Sequence, residues 1–321
     1  MSEQITLRVT GREEQGTGVV VLTLCAANGD VLPAFAAGAH IDLHLADGLV
    51  RQYSLCGNPQ DTRHWQLGIL NAGNSRGGSQ AACLLQPGDE VQASLPRNLF
   101  ALTLDAPHTL LVGGGIGITP MLAMAHALHQ AGRAFELHYC GRSRARMAFL
   151  AALAAVPWAA QVVYHVSDEG ETCRLQPDAL LAGAPANSHL YVCGPQGFMD
   201  WVIDKAESAG LAPTHIHREY FNREVQTSGE AFEVVVPALG VTVQVAQDQS
   251  IVEALAQAGV RVKVSCQQGI CGTCIANVLE GTPEHRDSYL TEEEKADNDQ
   301  IALCCSRSRS PCLVIEVFEL E

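Results

Sequence analysis

The sequence lacks the signals that would send a chain into or across a membrane. No stretch of eighteen consecutive apolar residues occurs, and the first residues, MSEQITLRVT, have neither the basic start nor the apolar run of a secretory signal. Basic side chains are also scarce, because 20 Lys and Arg stand against 35 Asp and Glu and give a net charge of −15. That charge disfavours nucleic acid as a partner. We predict a cytoplasmic, monomeric protein with no membrane contact.

The twelve cysteines lack the spacing of a disulfide framework, which predicts a reducing compartment. Four of them instead follow the pattern C-x4-C-x2-C, then 29 residues, then one more Cys. This is the spacing of plant-type 2Fe–2S proteins. The four candidate metal ligands are Cys266, Cys271, Cys274 and Cys304.

The loop that holds the first three cysteines, SCQQGICGTC, contains Gly269 and Gly272. Glycine lets the backbone turn tightly and direct amide N–H groups at cluster sulfurs. Zinc or buried structural cysteines are the alternatives, but structural zinc sites favour two C-x2-C pairs and this cluster of cysteines has one. The fourth ligand is expected on a distant strand, where the adjacent Cys304 and Cys305 would point to opposite faces, so only one of them can face the metal.

Three domains are expected from the length and from changes in hydrophobic pattern. Short alternating runs between turn signals predict an antiparallel β-barrel over residues 1–104. Apolar runs that alternate with helical stretches predict an α/β domain with a parallel sheet over residues 105–225. Two alternating runs, a helix and the cysteine loop predict a β-grasp ferredoxin domain over residues 226–321.

The string Arg51-Gln52-Tyr53-Ser54 is a candidate flavin site in the first domain. A strand places Arg51 and Tyr53 on one face and Gln52 and Ser54 on the other, so the string can serve a flavin from both directions. A half-buried strand explains the same residues without any ligand.

A second string, Arg76-Gly77-Gly78-Ser79, precedes an apolar helical run in the same domain. With Ser79 as the N-cap, the glycines would expose amide N–H groups to an anion, and Arg76 would add positive charge. This arrangement suits a flavin phosphate. An ordinary glycine-rich turn before a capped helix is the alternative.

The string GGGIGITPM follows a strand in the second domain and opens a helix. Its spacing is not the Rossmann G-x-G-x-x-G, but its glycines, Gly114, Gly115 and Gly117, would let a pyrophosphate approach the backbone. Thr119 as N-cap and Pro120 at the first helical position would aim a helix N-terminus at that ligand. The string therefore predicts a dinucleotide site.

Two further strings belong to the predicted nucleotide domain. Cys193-Gly194-Pro195 ends a strand at the carboxyl edge of the parallel sheet, where open α/β folds bind ligands, although a free buried thiol is the alternative. Arg142 and Arg144 follow another strand, and guanidinium groups there could bind the 2′-phosphate of NADPH. A solvated loop explains these arginines equally well.

In the order barrel, nucleotide domain and C-terminal cluster, the chain resembles the phthalate dioxygenase reductase family, which includes the reductases of vanillate-type O-demethylases. The resemblance covers essentially the whole chain. It implies FMN rather than FAD, NADH rather than NADPH as the donor, and a 2Fe–2S cluster. It also selects Cys304, because the local string CCSR matches the family's C-x-S-R.

The resemblance implies roles for single residues. Tyr53 would pack on the flavin ring, Ser54 would lie near its N5 atom, and Arg51 would bind its phosphate. Cys193 would lie beside the nicotinamide. Phe221, in a segment that resembles E-x-F, would cover the flavin ring, with the adjacent Tyr220 as a competitor.

From these features we predict an NADH-dependent reductase. Nicotinamide gives two electrons as a hydride and a 2Fe–2S cluster accepts one at a time, so a flavin is needed between them. The expected acceptor is a separate Rieske-type terminal oxygenase that acts on a small aromatic substrate, with a ferredoxin or a cytochrome as the alternative acceptor. A redox sensor that does not turn over NADH is a third hypothesis. The region from residue 226 onward carries −9 of the net charge, which would either steer a redox partner or only keep the protein in solution.

Overall fold

The computed structural model describes residues 4–71, 73, 77–221 and 226–318. The chain folds into two compact units, Met1–Phe221 and Asn222–Glu321. The predicted phosphate residue Arg76 lies outside the described residues. Within the described ranges, no helix is both long and apolar enough to cross a membrane.

The first unit begins with an antiparallel sheet of six strands and a short helix. The elements are β1 (Gln4–Gln15), β2 (Val19–Ala26), β3 (His40–His44), β4 (Val50–Ser54), β5 (Trp65–Leu70), α1 (Gly78–Cys83) and β6 (Glu90–Ser94). The strand order is β4-β3-β6-β1-β2-β5. A bridge between Leu55 and Leu67 joins the chain just after β4 to β5, so the two edge strands meet and the sheet closes into a barrel.

The same unit continues with a parallel sheet of five strands covered by helices. The elements are β7 (Thr109–Gly114), α2 (Ile118–Gln130), β8 (Phe135–Gly141), α3 (Leu150–Ala155), β9 (Val162–Val166), α4 (Pro177–Gly183), β10 (His189–Cys193), α5 (Gln196–Ser208) and β11 (Ile216–Glu219). The order β11-β10-β7-β8-β9 reverses direction on either side of β7. The ends of β7 and β10 therefore flank the crevice in which doubly wound sheets bind ligands.

One continuous apolar core joins the barrel to one face of the parallel sheet. Tyr191 of β10 is fully buried in it, and its hydroxyl accepts a hydrogen bond from the amide of Thr103 at 2.8 Å. Burial of large apolar side chains is the main stabilising contribution at such a contact. The shared core brings β4 of the barrel close to the carboxyl ends of β10 and β11.

The second unit is a mixed sheet with one principal helix. Its elements are β12 (Phe232–Val236), β13 (Val241–Val245), α6 (Ile251–Gln257), β14 (Ile275–Glu280), β15 (Pro283–Glu284), α7 (Glu292–Asp297), β16 (Gln300–Ala302), β17 (Arg307–Ser308) and β18 (Cys312–Val317). The large sheet has the order β13-β12-β18-β14-β16, with β12 and β18 parallel, and β15 pairs with β17. Ser250 caps α6 through a capping box with Glu253.

The predicted multidomain fold is confirmed: an antiparallel barrel, a parallel α/β sheet and a ferredoxin-like sheet occur in that order. The boundaries at residues 104 and 225 stay predictions. The barrel and the α/β sheet form one compact unit because their apolar faces share a core.

Candidate functional site

Arg51 of β4 lies directly against Gly78, the first residue of α1. A Cβ atom at Gly78 would stand 2.1 Å from Nε of Arg51, so a side chain there would have to displace the Arg51 side chain. The helix begins two residues earlier than the sequence suggested: Gly77, in the left-handed region at φ +81°, is the N-cap, and the prediction of Ser79 as N-cap was wrong. Glycine adopts this backbone at no steric cost, so the chain turns into the helix at Gly77.

Ser79 nevertheless stays a candidate phosphate-binding residue. Its buried hydroxyl oxygen has no hydrogen-bond partner among the described residues, and it stands two residues after the left-handed Gly77. Buried polar atoms are almost always paired, so an orphan of this kind calls for a bound group. The Arg51 guanidinium and the Ser79 hydroxyl fit a flavin phosphate, whose oxygens accept hydrogen bonds from both.

Ser54, at the end of β4, donates a hydrogen bond from its hydroxyl to Oε2 of Glu219 at 3.1 Å. Glu219 ends β11, so this bond joins the barrel to the parallel sheet. Burial raises the pKa of Glu219 to about 8, although the Ser54 hydrogen bond acts in the opposite direction. Sequence reasoning missed Glu219, although it is the first residue of the segment compared with E-x-F.

Cys193 lies at the same junction, at the end of β10, where it pairs with Glu219 of β11 in the sheet register. Its side chain is fully buried, and burial together with the nearby Glu219 carboxyl raises the pKa of its thiol well above the usual value. Ser54, Cys193 and Glu219 thus form a junction of neutral polar groups. Such a junction suits hydride transfer, because an ionised thiol beside the reacting atoms would disfavour added electrons.

Tyr53, beside Ser54 on β4, is partly buried and packs against the main core. Burial raises the pKa of its hydroxyl, so the side chain is neutral. Tyr220 packs with its ring against the apolar cluster on the outer face of the parallel sheet. Phe221 is 38% exposed at the end of the unit. This placement favours Phe221 over Tyr220 as the aromatic available to a flavin.

The glycine loop after β7 lies against the end of β10. A Cβ atom at Gly117 would stand 2.2 Å from the carbonyl oxygen of Cys193, and one at Gly114 would stand 2.9 Å from the Phe198 ring. Gly115 has φ +56° and open space around its Cα. The loop therefore needs small residues for packing at Gly114 and Gly117, and it leaves the backbone of Gly115 accessible to a ligand.

The predicted cap of α2 was wrong by two residues. A short 3₁₀ turn over Gly115–Gly117 precedes the helix, so Gly117 is the N-cap and Ile118 the first helical residue. Thr119 instead donates from its hydroxyl to the carbonyl of Ile116 at 3.0 Å. Pro120 stands in the first turn, where a missing N–H breaks no intrahelical bond.

A cavity of about 450 Å³ opens at the carboxyl edge of the parallel sheet. Gly114, Gly115 and Pro195 line it on one side. The arginines of its wall are Arg142, Arg146 and Arg174.

Of the two arginines predicted to bind the nucleotide, the structure brings only Arg142 to this cavity. Arg144 pairs with Glu169, at 2.7 Å from Nε, and its side chain is about half exposed. Sequence reasoning missed Arg146, which is the last basic residue of the string RSRAR, and Arg174, which no local pattern marks. Gly194 adopts a positive φ beside Gly114, so a side chain there would meet the loop.

The cysteine loop directs backbone amides at sulfur atoms. The amides of Gln268 and Ile270 donate to Sγ of Cys266 at 3.3 and 3.5 Å, and the amide of Gly269 donates to Sγ of Cys304 at 3.2 Å. Positive φ values at Gly269 and Gly272 allow this turn. Four close thiols with amide donors fit a 2Fe–2S cluster, whose sulfurs accept such bonds.

The four predicted ligands lie together, and three of them are buried. Contacts with Cys271 and Cys304 lower the pKa of Cys266, and contacts with Cys266 and Cys274 raise that of Cys304, so the thiols compete for protons at close range. A bound cluster would hold all four as thiolates.

The expectation that the fourth ligand sits on a strand was wrong. Strand β16 ends at Ala302, and Cys304 and Cys305 lie in the turn that follows. Cys304 accepts the Gly269 amide, whereas the Cys305 sulfur stands behind that glycine, 2.5 Å from where its Cβ would be. The turn, rather than strand alternation, separates the two thiols. The choice of Cys304 over Cys305 as ligand stays a prediction that this placement supports.

Two family profiles match the chain. Residues 111–204 match the "Oxidoreductase NAD-binding domain" and residues 235–309 match the "2Fe-2S iron-sulfur cluster binding domain". The first contains the glycine loop and the second contains all four predicted ligands. The chain is therefore an iron–sulfur oxidoreductase with a nicotinamide nucleotide site.

Relatives of known function match nearly the whole chain. A "Vanillate O-demethylase oxidoreductase" of Pseudomonas sp. (strain HR199 / DSM 7063) is 46% identical over 302 residues, which is 93% of this chain and 95% of that protein. A "Tert-butanol monooxygenase / tert-amyl alcohol desaturase reductase subunit" of Aquincola tertiaricarbonis is 36% identical, over 98% and 96% of the two chains.

Solved structures agree. Phthalate dioxygenase reductase, described as a modular structure for electron transfer from pyridine nucleotides to [2Fe–2S], aligns over 98% of both chains with a TM-score of 0.74 and 33% identity. An intact type IV self-sufficient cytochrome P450 monooxygenase aligns with a TM-score of 0.85 and 36% identity, but this chain spans only 41% of its length. The chain belongs to the phthalate dioxygenase reductase family and is an NADH-dependent iron–sulfur flavoprotein oxidoreductase with FMN and a 2Fe–2S cluster.

Proposed function

We propose that this chain is the reductase component of a two-protein oxygenase system and that its partner is a separate Rieske-type terminal oxygenase or demethylase. The observation that carries the proposal is the 46% identity, over 93% of the chain, to a vanillate O-demethylase oxidoreductase. We further propose that the partner acts on a small aromatic compound, and that this chain is a cytoplasmic monomer. The relatives with oxygenase names support an oxygenase as the acceptor.

The geometry of two residues supports an FMN site in the barrel. Arg51 lies against Gly78, and the buried Ser79 hydroxyl has no partner among the described residues. We propose that both bind the terminal phosphate of FMN. Helix α1 has only six residues, so its dipole adds little and the Arg51 charge supplies most of the attraction. Tyr53, one residue before Ser54 on β4, would lie along the flavin ring.

When bound, FMN accepts a hydride from NADH and passes single electrons to the 2Fe–2S cluster. The chain's own residues prepare the place where the hydride passes. We propose that Ser54 and Glu219 hold a proton between them beside the ring, and that Cys193 keeps water from the nicotinamide with a buried neutral thiol. Phe221, exposed at the end of the unit, would cover the flavin until the nicotinamide displaces it.

The nucleotide site would extend from Cys193 across Gly115 into the cavity. We propose that Arg142, Arg146 and Arg174 bind the phosphates of the dinucleotide. NADH is the proposed donor. NADPH would need one of these arginines for its additional 2′-phosphate, so the ratio of kcat/KM for the two donors tests the assignment. Arg144 pairs with Glu169 and has no role in this proposal.

At the other end of the chain, Cys266, Cys271, Cys274 and Cys304 would hold the cluster, with Cys305 excluded. Helix α7 begins with Glu292, Glu293 and Glu294, all three of them exposed. We propose that this acidic face steers the oxygenase, because complementary charges speed encounter more than they tighten binding.

A cytochrome acceptor is a second candidate, and one observation favours it. A self-sufficient P450 monooxygenase contains a part similar to 98% of this chain, with 36% identity. In that protein a reductase of this family and a cytochrome share one polypeptide. A separate cytochrome could therefore replace the Rieske protein as the acceptor here.

The decisive experiment is reconstitution. The purified holoprotein, NADH and the oxygenase encoded nearest to its gene are incubated with vanillate and other aromatic acids and ethers, and product formation is measured per NADH consumed. A purified P450 and a plant-type ferredoxin serve as competing acceptors. Coupled product formation with the Rieske protein supports the proposal, and faster reduction of the cytochrome would overturn it. Heat-released flavin that runs as FAD in chromatography would contradict the phosphate site.

A further inference from the structure

Trp201 is the exposed member of the three tryptophans in the chain. Trp65 and Trp158 are fully buried, whereas 40% of the Trp201 surface is exposed. Trp201 lies on α5 and forms part of the wall of the cavity at the carboxyl edge of the parallel sheet. Ligand sites use aromatic side chains of this kind, because an indole buries a large apolar area when a ligand covers it.

The indole of Trp201 is held in place by its neighbours. Its ring packs against Phe198, one turn earlier on α5, with 6.3 Å between the ring centroids and the planes tilted by 52°. Phe198 in turn packs on the glycine loop, since Cβ atoms at Gly114 and Gly194 would stand 2.9 and 3.0 Å from its ring. Because the indole has a fixed support, a ligand that covers it loses little affinity to the ordering of the side chain.

The other rings in the described wall of the cavity are occupied by protein contacts. Tyr139 is buried in the main core, and Phe198 lies on the glycine loop. His165 stacks on His138 with 5.3 Å between ring centroids and is hydrogen-bonded to it. Trp201 is therefore the ring of this wall that offers the most surface to a ligand.

The two ends of the proposed nucleotide path lie on opposite faces of the parallel sheet. Cys193, proposed to lie at the nicotinamide, belongs to the main core that joins the sheet to the barrel. Helix α5 instead packs on the outer face through Met199 and Val202, which flank Trp201 in the sequence. Gly115 lies in the loop between the two faces and has open space around its Cα. A dinucleotide whose pyrophosphate crosses Gly115 thus has its nicotinamide on the barrel side and its adenosine on the side of Trp201.

We propose that Trp201 binds the adenine ring of NADH by stacking on it. The inference deepens the proposed function and rests on the proposed path of the nucleotide from Cys193 across Gly115. Adenine is flat and uncharged at neutral pH, so an aromatic face suits it, whereas the arginines of the same cavity suit the phosphates. The adenine contact is the same before and during hydride transfer. Trp201 therefore contributes to the affinity for NADH and leaves the rate of the chemical step unchanged.

The first test uses AMP, which carries the adenine ring and cannot transfer a hydride. Tryptophan fluorescence of the holoprotein is recorded during a titration with AMP. Because Trp65 and Trp158 are fully buried, Trp201 is the tryptophan that AMP can contact. We expect saturable quenching in the wild-type protein and none in Trp201→Phe. Ribose 5-phosphate, which has the sugar and the phosphate without the base, is the control ligand and should not quench.

The second test compares NADH with reduced nicotinamide mononucleotide, which lacks the AMP half. Stopped-flow absorbance of the flavin gives the Kd and the limiting rate of reduction for each donor. In Trp201→Ala we expect an about tenfold higher Kd for NADH, an unchanged limiting rate, and unchanged values for the mononucleotide. Trp201→Phe keeps an aromatic face and should restore most of the affinity for NADH. Val163→Ala, which shortens an apolar side chain of equal exposure in the same unit, is the matched control.

Absence of quenching by AMP in the wild-type protein would overturn the inference, and so would an unchanged Kd for NADH in Trp201→Ala. An equal loss of affinity for the mononucleotide would place the nicotinamide on Trp201 and overturn it as well. A failure of the proposed function is recognised separately, because NADH would then leave the wild-type flavin oxidised. Quenching by AMP does not depend on hydride transfer and would still report the adenine contact.

Discussion

Burial has opposite outcomes for the pKa values of ionisable groups in the two units of the chain. In the first unit, burial raises the pKa of Cys193 and of Glu219, and it outweighs the single opposing hydrogen bond at each, from the Gly194 backbone and from the Ser54 hydroxyl. In the second unit, contacts with the Cys271 and Cys304 thiols are the main cause of a lowered pKa at Cys266, and hydrogen bonds from the amides of Ile270 and Gln268 lower it further. Burial alone makes a group neutral, whereas burial with aligned donors lets it carry charge.

The difference matches the chemistry of each unit. A hydride is transferred between two rings, and neutral side chains there leave its charge undisturbed. A 2Fe–2S cluster needs anionic sulfur, and amide N–H groups stabilise that anion without adding a side chain. The five predictions below break or sharpen this comparison, starting with the largest expected effect.

Replacing Cys304 by Ser should abolish the cluster, because Cys304 receives the Gly269 amide and contacts the other ligands. Cys305→Ser should retain it, since the Cys305 sulfur lies behind Gly269. Iron content and the EPR signal of the reduced protein measure both. Exchanged behaviour of the two variants would mean that Cys305 is the fourth ligand.

Removal of the second unit should separate the two chemistries. A chain that ends after Phe221 keeps the barrel, the glycine loop and the cavity, so NADH should still reduce ferricyanide at a rate within about twofold of the full chain. It should not support the oxygenase at all. Oxygenase turnover by the shortened chain would remove the cluster from the pathway.

Replacing Glu219 by Gln should change the pH profile of hydride transfer. The pKa of Glu219 is raised to about 8, so above that pH a negative charge appears beside the site and should slow flavin reduction about tenfold. The Gln variant should show no such fall between pH 7 and 9. Rapid-mixing absorbance of the flavin measures the rate, and a variant that keeps the wild-type profile would refute the role of Glu219.

The raised pKa of Glu219 also makes the free energy of unfolding depend on pH. The unfolded chain releases this proton near pH 4.5 and the folded chain only near pH 8, so Glu219 lowers the free energy of unfolding as pH rises between those values. Glu219→Gln removes that decline. Urea unfolding of both proteins at pH 5 and pH 8 provides the comparison.

Replacing Glu292, Glu293 and Glu294 by Gln should have the smallest effect. These exposed carboxylates lie in the first turn of α7, and surface charges are largely screened beyond about 8 Å at physiological salt. We expect oxygenase reduction to slow a few-fold at low salt and to lose most of its salt dependence. Ferricyanide reduction by the same variant is the control, and an unchanged oxygenase rate at every salt concentration would make this face only solubilising.

Sequence patterns predicted most of the architecture because each element has a strong local signal. Alternation and turns marked the barrel, and the run TLLVGG followed by a helical stretch marked β7 and α2. The cysteine spacing marked the cluster loop. The predictions that were wrong concern the local geometry at the ends of helices. Ser79 and Thr119 are good capping residues, yet in each case a glycine two positions earlier is the N-cap.

The long-range contacts could not be predicted. Glu219 meets Ser54 across 165 positions, and no pattern in either string signals the other. Arg174 reaches the cavity from a loop with no motif, and Arg144 leaves it because Glu169 is near enough to pair. Such contacts depend on how two sheets pack, which single-sequence periodicity does not contain.

One short segment carries two tasks that could have been separate. Cys304, proposed as the fourth ligand, and Arg307, whose guanidinium donates to the carbonyls of Thr227 and Glu230 at the start of the unit, lie three positions apart in the string CCSRS after β16. A deletion or insertion between them would displace both at once.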